Sequence, residues 1–229
     1  MKSIASRQNP WFKRVHDAVR EHAEEIVIEG PKAVGDAIAA GWTPIAVIRA
    51  QGAEGGGKEI VFSDELFRAV SDTRTSQGVL ALFRRPQNAD VFAKNGIVVV
   101  LDGVQDPGNV GTIVRLAAAF DAAGVVLLPG CADAYSPKAI RASAGAILSV
   151  PIAAVSHLDA PGRPLFYADS HGETIAPPKN AVLVLGSEGS GVSEEIRRHG
   201  RAIGIATSGR VESLNVAAAA AILLWQAFR

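Results

Sequence analysis

The chain has 229 residues, 48% of them hydrophobic and 20% charged, with 23 basic side chains balanced by 23 acidic ones. That length holds one large domain or two small ones, and the neutral balance excludes RNA binding by bulk charge, so any nucleic-acid site must be a local patch. Cys131 is the only cysteine, which excludes an intrachain disulfide and fits a reducing compartment. The N-terminus lacks a signal-peptide core, and the longest apolar run, Val216 to Trp225, is too short to span a bilayer. A cytoplasmic protein is expected.

Residues 1–84 read as a small α/β domain. Asn9-Pro10 sets an N-cap before a first-turn proline and predicts a helix to about His22. Ile26–Ile28 reads as a strand. Pro31 opens a second helix with Ala33, Val34, Ala37 and Ile38 on one face and Gly41 as its stop. Ile45–Ile48, Glu59–Phe62 and Gly78–Phe83 are further strands, with a glycine-rich loop at Gly52–Gly57. Ser63 caps a short helix carrying Asp64 and Glu65 in its first turn. Residues 85–95, polar and proline-bearing, form a linker.

Residues 96–229 form the second domain, and Gly96 to Phe120 organises it. Ile97–Leu101 is an apolar, mostly β-branched run, the signature of a strand buried in a parallel sheet. A polar turn, Asp102 to Asn109, leads to a helix predicted to begin near Gly111, with Ile113, Val114, Leu116, Ala117 and Phe120 at helical spacing. Gly124–Leu128 is a strand, and Ser136-Pro137 starts a helix through Ala142. Leu165–Ala168, Ala181–Leu185 and Ala202–Ile205 are further strands, and Glu212–Phe228 is a closing, alanine-rich helix. Sites in such sheets lie at the carboxyl ends of strands.

Common nucleotide motifs do not fit. Gly52-x4-Gly57-Lys58 resembles a P-loop, but Glu59 stands where a magnesium-binding hydroxyl is needed and a strand follows. Gly189-x-Gly191 is followed by Glu194 where a dinucleotide fingerprint wants a small residue. Asp169, His171 and Glu173 fall in a predicted loop without zinc-type spacing, so no metal is expected.

Three stretches carry a specific resemblance. Asp102-x3-Asp106-Pro107-x-Asn109-x-Gly111-x3-Arg115-x-Ala117, the run LVLGSEGSGV from Leu183 to Val192, and ESLNV from Glu212 to Val216 occur in that order. They resemble the three motifs of the SpoU/TrmH family, ribose 2′-O-methyltransferases of the SPOUT class. Softer cues, Ser6-x2-Asn9-Pro10, Ile28-Glu29-Gly30 and Thr75-Ser76-Gln77-Gly78, resemble the family's N-terminal substrate-binding domain, which is similar to small ribosomal RNA-binding proteins.

The resemblance implies an α/β chain with a C-terminal parallel-sheet SPOUT domain holding a deep trefoil knot. It implies S-adenosylmethionine as cofactor, no metal, and a homodimer whose sites form at the knot–knot interface. By motif position Arg115 is the catalytic arginine. Asn109 positions Arg115 or substrate, Glu188 orders the arrangement, and Ser213 and Asn215 bond neighbouring loops or substrate. Leu185, Gly186, Ile205, Thr207 and Leu214 are the expected cofactor contacts, with Val216 a further choice. Arg7, Lys13 and Arg14, beside Trp11, are candidate RNA contacts through phosphate charge and base stacking; a solvated amphipathic helix explains them equally well. Arg141 is a candidate for an RNA phosphate. The N-terminal domain favours rRNA over tRNA as substrate. The alternatives are tRNA, or a non-catalytic RNA-binding or ribosome-assembly protein on the same fold. The chain departs from the family pattern at Asp121, where glycine is usual, and at Ala206-Thr207 in place of Pro-Met.

Overall fold

Two sheets, one mixed and one wholly parallel, organise the computed structural model, which describes residues 3–53, 59–73, 75–160 and 162–229. The chain folds as two compact units, Met1–Pro86 with Tyr135–Arg141, and Gln87–Ala134 with Ala142–Arg229. Most of the Gly52–Gly57 loop, including the P-loop-like Gly57-Lys58, lies outside the described residues.

In the first unit, helix α1 (Pro10–Glu21) starts as the sequence implies, with the Asn9 side chain accepting from Trp11 N. Strand β1 (Glu25–Glu29), helix α2 (Pro31–Ala39), strands β2 (Pro44–Ala50) and β3 (Ile60–Phe62), helix α3 (Asp64–Val70) and strand β4 (Val79–Arg84) follow. The sheet order is β1-β4-β2-β3. Strand β4 runs antiparallel to both β1 and β2, and β2 runs parallel to β3. Side chains alternate across a strand. Leu80 and Leu82 of β4 therefore join a core with Phe12 and Val15 of α1 and Leu66 and Phe67 of α3. Phe83 points the other way and meets Trp42 edge-on at 6.0 Å.

The second unit holds strand β5 (Val98–Asp102), helix α4 (Pro107–Ala119) and strand β6 (Gly124–Leu127). Helix α5 (Pro137–Ala142) follows in sequence, but its residues through Arg141 cluster with the first unit. A 3₁₀ turn (Ala146–Leu148), strands β7 (Ile152–Ala154), β8 (Leu165–Glu173) and β9 (Val182–Gly186), helix α6 (Glu194–His199), strand β10 (Arg201–Ile203) and helix α7 (Val216–Phe228) complete the chain. The order β10-β8-β9-β5-β6-β7 is parallel throughout. Val98, Val100, Val182 and Val184 pack towards Ile196 of α6. Val99, Leu101, Leu183 and Leu185, equally buried, face the opposite side. There α4 and α7 pack on each other, α4 against β6 and α7 against β9. Among the described residues no helix is long and apolar enough to cross a membrane.

The structure corrects four sequence expectations. Helix α4 begins at Pro107 rather than near Gly111, because Asp106 caps it and proline occupies its first turn. Helix α7 begins at Val216 rather than Glu212, because Asn215 is the cap. Strand β8 runs through Asp169–Glu173, expected as a loop, because backbone pairing to β10 continues there despite polar side chains. Short elements at Ile152–Ala154 and Glu194–His199 were not foreseen.

Candidate active site

The site starts where β5 and β9 end. Their parallel register sets Asp102 beside Gly186, so the turn before α4 and the glycine loop after β9 leave the sheet side by side. Asp102 Oδ2 accepts from Ser193 N at 2.7 Å, which closes the glycine loop onto β5. Asp106 caps α4, accepting from Gly108 N at 3.0 Å, and that puts Asn109 in the helix's first turn rather than in the turn before it.

Asn109 is the centre of a three-residue chain. Asn215 Oδ1 accepts from Ala217 N at 2.9 Å and Ala218 N at 3.3 Å, the cap of α7. With its oxygen fixed there, the Asn215 amide nitrogen must point away, and it donates to Asn109 Oδ1 at 3.2 Å. The Asn109 nitrogen then donates to Glu188 Oε1 at 2.5 Å. Each amide orientation follows from the next, so three of the five expected catalytic residues, one per motif, form a single relay of hydrogen bonds. Arg115 is not part of it. Six residues along α4 is about 9 Å of rise and a rotation of about 120° from Asn109. The Arg115 side chain is exposed and makes no hydrogen bond or ion pair among the described residues.

The loop after β9 is tightly folded. Ser187 and Gly191 exchange backbone hydrogen bonds of 3.1 and 3.0 Å, and Ser187 Oγ lies 2.7 Å from Ser190 Oγ. A Cβ on Gly186 would sit 2.2 Å from Gly191 C, so only glycine fits. A second crossing joins β8 to the end of β10. A Cβ on Gly172 would lie 2.4 Å from Ile203 C, and Gly204 N donates to Glu173 O at 2.8 Å.

Between these crossings lies a cavity of about 630 Å³, within the range of roughly 300–1,000 Å³ usual for small-molecule sites. Leu185, Gly186, Ile205, Thr207 and Leu214, the expected cofactor contacts, all line it, as do Glu188, Ser213 and Val216. Ile203 and Leu223 extend its apolar wall, while Asp169, Ser170, His171 and Arg197 form a polar end. Asp169 and Arg197 were missed as site residues. Asp169 stands in what read as a loop, and Arg197 sits on a six-residue helix with one buried side chain. Glu173, the third member of the dismissed triplet, pairs with Arg201 at 2.5 Å. Among the described residues no three His, Cys, Asp or Glu side chains are placed to hold a metal ion.

S-adenosylmethionine suits this lining. It carries an apolar-faced adenine that fits the Leu185–Ile205–Leu214 wall, and a cationic sulfonium that fits a lining including Asp169 and Glu188. Cys131 offers no competing nucleophile. Burial pushes its thiol pKa up, with the Asp102 charge adding to the rise, and its Sγ donates to Leu101 O at 3.2 Å.

The expected RNA contacts lie in the first unit and are mostly neutralised. Arg14 is held by Glu25 at 2.5 Å, a hydrogen bond that raises its pKa, and stacks over Trp11 at 5.3 Å. Arg7 is 3.4 Å from Glu65, and Arg141 of α5 is 2.5 Å from Asp72. Lys13 is exposed and makes no ion pair among the described residues.

Residues 96–225 match the family model for the SpoU rRNA Methylase family. The 23S rRNA (guanosine(2553)-2′-O)-methyltransferase RlmP of Bacillus subtilis (strain 168) is 30% identical, over 98% of this chain and 98% of that protein. An AdoMet-bound rRNA methyltransferase from Sinorhizobium meliloti superposes with a TM-score of 0.84 at 27% identity, over 99% of this chain and 97% of its own. The SpoU methyltransferase AviRb from Streptomyces viridochromogenes, in complex with AdoMet, gives the same TM-score of 0.84 at 23% identity, over 96% and 97% of the two chains, a likeness of fold.

Proposed function

The chain belongs to the SpoU rRNA methylase family and is an RNA ribose 2′-O-methyltransferase that uses S-adenosylmethionine; we propose that it acts on ribosomal RNA as a homodimer in which Arg115 serves the partner's cavity. The observation that carries this reading is the cavity joined, through Glu188, to the Glu188–Asn109–Asn215 relay.

S-adenosylmethionine, when bound, supplies an electrophilic methyl group on a positively charged sulfur. Leu185, Ile205 and Leu214 would hold the adenine, and Gly186 would let the backbone come close. The relay through Asn109 fixes the Glu188 carboxylate at the cavity wall, so it needs no reorganisation as charge shifts in the transition state. Orientation supplies much of the acceleration in a displacement between two positioned groups. The 2′-hydroxyl must lose its proton, to water, as it attacks. Arginine holds its proton and is a poor base, so the part given to Arg115 is to bind the ribose-phosphate and stabilise the alkoxide as it forms.

A second subunit accounts for Arg115's position. It projects from α4 away from its own relay, and α7, packed on α4, exposes Trp225 at 46% and Phe228 at 56%. Phe228 also touches Phe120 of α4, ring centroids 6.0 Å apart. A two-fold contact over this α4–α7 face would cover both aromatics and bring Arg115 to the partner's cavity. The trefoil knot expected from the family would be formed by the second and third motifs, Leu183 to Val192 and Glu212 to Val216.

Arg115→Ala is expected to lower methyl transfer to rRNA by roughly 10²- to 10⁴-fold, with S-adenosylmethionine affinity by calorimetry unchanged. A wild-type rate would remove Arg115 from the mechanism. Mixing Arg115→Ala subunits with Glu188→Ala subunits should restore activity if the two residues serve one site from different chains. Labelled methyl transfer to total rRNA, total tRNA and ribosomal particles identifies the substrate.

A further inference from the structure

The cavity's polar end is not used by the mechanism above. Arg197 is the one lysine or arginine among the described cavity-lining residues. Its Nε donates to Val192 O at 3.1 Å, which folds the side chain back over the glycine loop. The position a Cβ would take on Gly191 is 3.0 Å from Arg197 Nη2, so the bare glycine makes room for the guanidinium. Asp169 faces it from the middle of β8. Asp169 Oδ1 accepts from His171 N at 2.9 Å, while Oδ2 stands 3.8 Å from Arg197 Nη1, too far for a hydrogen bond. The pair therefore has spare capacity: a guanidinium with terminal donors unused, and a carboxylate oxygen with lone pairs unused.

We propose that Arg197 and Asp169 recognise the amino-acid tail of S-adenosylmethionine, the guanidinium taking the α-carboxylate and Asp169 the α-ammonium. This rests on the assignment of the cavity given above. The tail carries an anion and a cation on one carbon, and its site needs a cation and an anion side by side. Arg197 and Asp169 are such a pair, left loose enough for a ligand to complete. The apolar wall of Leu185, Ile205 and Leu214 cannot take the tail without stripping its hydration uncompensated, so the adenine goes there and the tail goes to the polar end. Of the cavity's carboxylates, Glu188 is engaged by Asn109, and Asp169 is the one placed beside the arginine, at 3.8 Å.

Calorimetry with three probes tests this: S-adenosylmethionine, its decarboxylated analogue, and 5′-methylthioadenosine, which keeps adenine and ribose but lacks the tail. Wild type should bind S-adenosylmethionine roughly tenfold to a hundredfold more tightly than the decarboxylated analogue, the size of one charge-assisted contact. Arg197→Ala should lose that factor for S-adenosylmethionine and bring the two ligands level, with 5′-methylthioadenosine unchanged. Asp169→Asn should weaken S-adenosylmethionine and again spare 5′-methylthioadenosine. Equal wild-type affinity for the first two probes overturns the proposal without any variant, and so decides the matter even if Arg197→Ala fails to fold. So does an Arg197→Ala protein with normal S-adenosylmethionine binding and a raised KM for RNA, which would give the arginine to an RNA phosphate instead. Failure of wild type to bind any of the three probes would instead remove the cavity assignment itself.

Discussion

Two regions of the six-stranded sheet differ in sequence and in structure. Around β5, β6 and α4 everything is regular: the β5–β6 register runs unbroken from Val98 to Leu101, and α4 is capped by Asp106 with proline behind it. At the other edge the β8–β10 register slips between Ala202 and Ile203, and backbones cross at Gly172 and Gly204. The cavity belongs to this irregular edge and the loops beside it. The regular region supplies fixed points, Asp102 and Asn109, and the irregular one supplies space and polar groups. The two meet through the bonds from Ser193 to Asp102 and from Asn109 to Glu188. Regularity holds the catalytic groups still, while departure from it makes room for a ligand.

The largest effect expected of that contrast comes from one methyl group in the glycine loop. Gly186→Ala puts a Cβ 2.2 Å from Gly191 C, and neither backbone can yield without opening the Ser187–Gly191 bridge. S-adenosylmethionine binding should be lost, measured by calorimetry on protein whose circular dichroism remains native-like. Gly189→Ala, three residues along, meets nothing within 4 Å and should bind as wild type does. Equal behaviour of the two variants would mean that the close crossing does not shape the cavity.

Truncation in the regular region should do the reverse. Ile113 on α4 is fully buried, so Ile113→Ala should cost about 2–5 kcal/mol of stability. The folded fraction should keep its cofactor affinity, because Ile113 does not line the cavity. Urea unfolding followed by calorimetry at low denaturant separates the two readouts. A large loss of affinity at unchanged stability would show that the regions are not separable in this way.

The same contrast decides what was legible in the sequence. Val98–Asp102 is readable because a strand buried on both faces must be continuously apolar, and Asn9 and Ser63 are readable because capping needs only a local side chain. The second half of β8 carries Asp169, Ser170, His171 and Glu173, a composition that argues for a loop. Its pairing to β10 is made by backbone, which leaves no mark in side-chain pattern. Helix α6, with Ile196 alone buried, shows no periodicity to detect, and so Arg197 went unread. At α7, Glu212, Ser213 and Asn215 all suit a helix start, and only the structure shows which oxygen meets Ala217 N. Asn109, Glu188 and Asn215 were legible as three separate motif positions. That they bond to one another was not, since it depends on β5 and β9 lying side by side.

The smallest effect concerns the end of α4. Asp121 has a φ of 50°, in the left-handed region that favours glycine. An L-residue in that conformation is disfavoured by roughly 1–2 kcal/mol, less for aspartate, which tolerates it better than most. Against this, Asp121 Oδ1 takes a hydrogen bond from Lys94 Nζ at 2.5 Å. Both side chains are more than half exposed, so the pair contributes at most about 1 kcal/mol. Glycine also adds freedom to the unfolded chain, which offsets part of the relief. Asp121→Gly should therefore change stability by less than about 1 kcal/mol in low salt. In salt near 1 M, where the Debye length falls to about 3 Å, the Lys94 pair is screened and the backbone relief remains, so the glycine variant should gain on wild type. Thermal unfolding of both proteins across that salt range measures the difference, and a glycine variant that falls further behind as salt rises would show that Lys94 is not what compensates the strained turn.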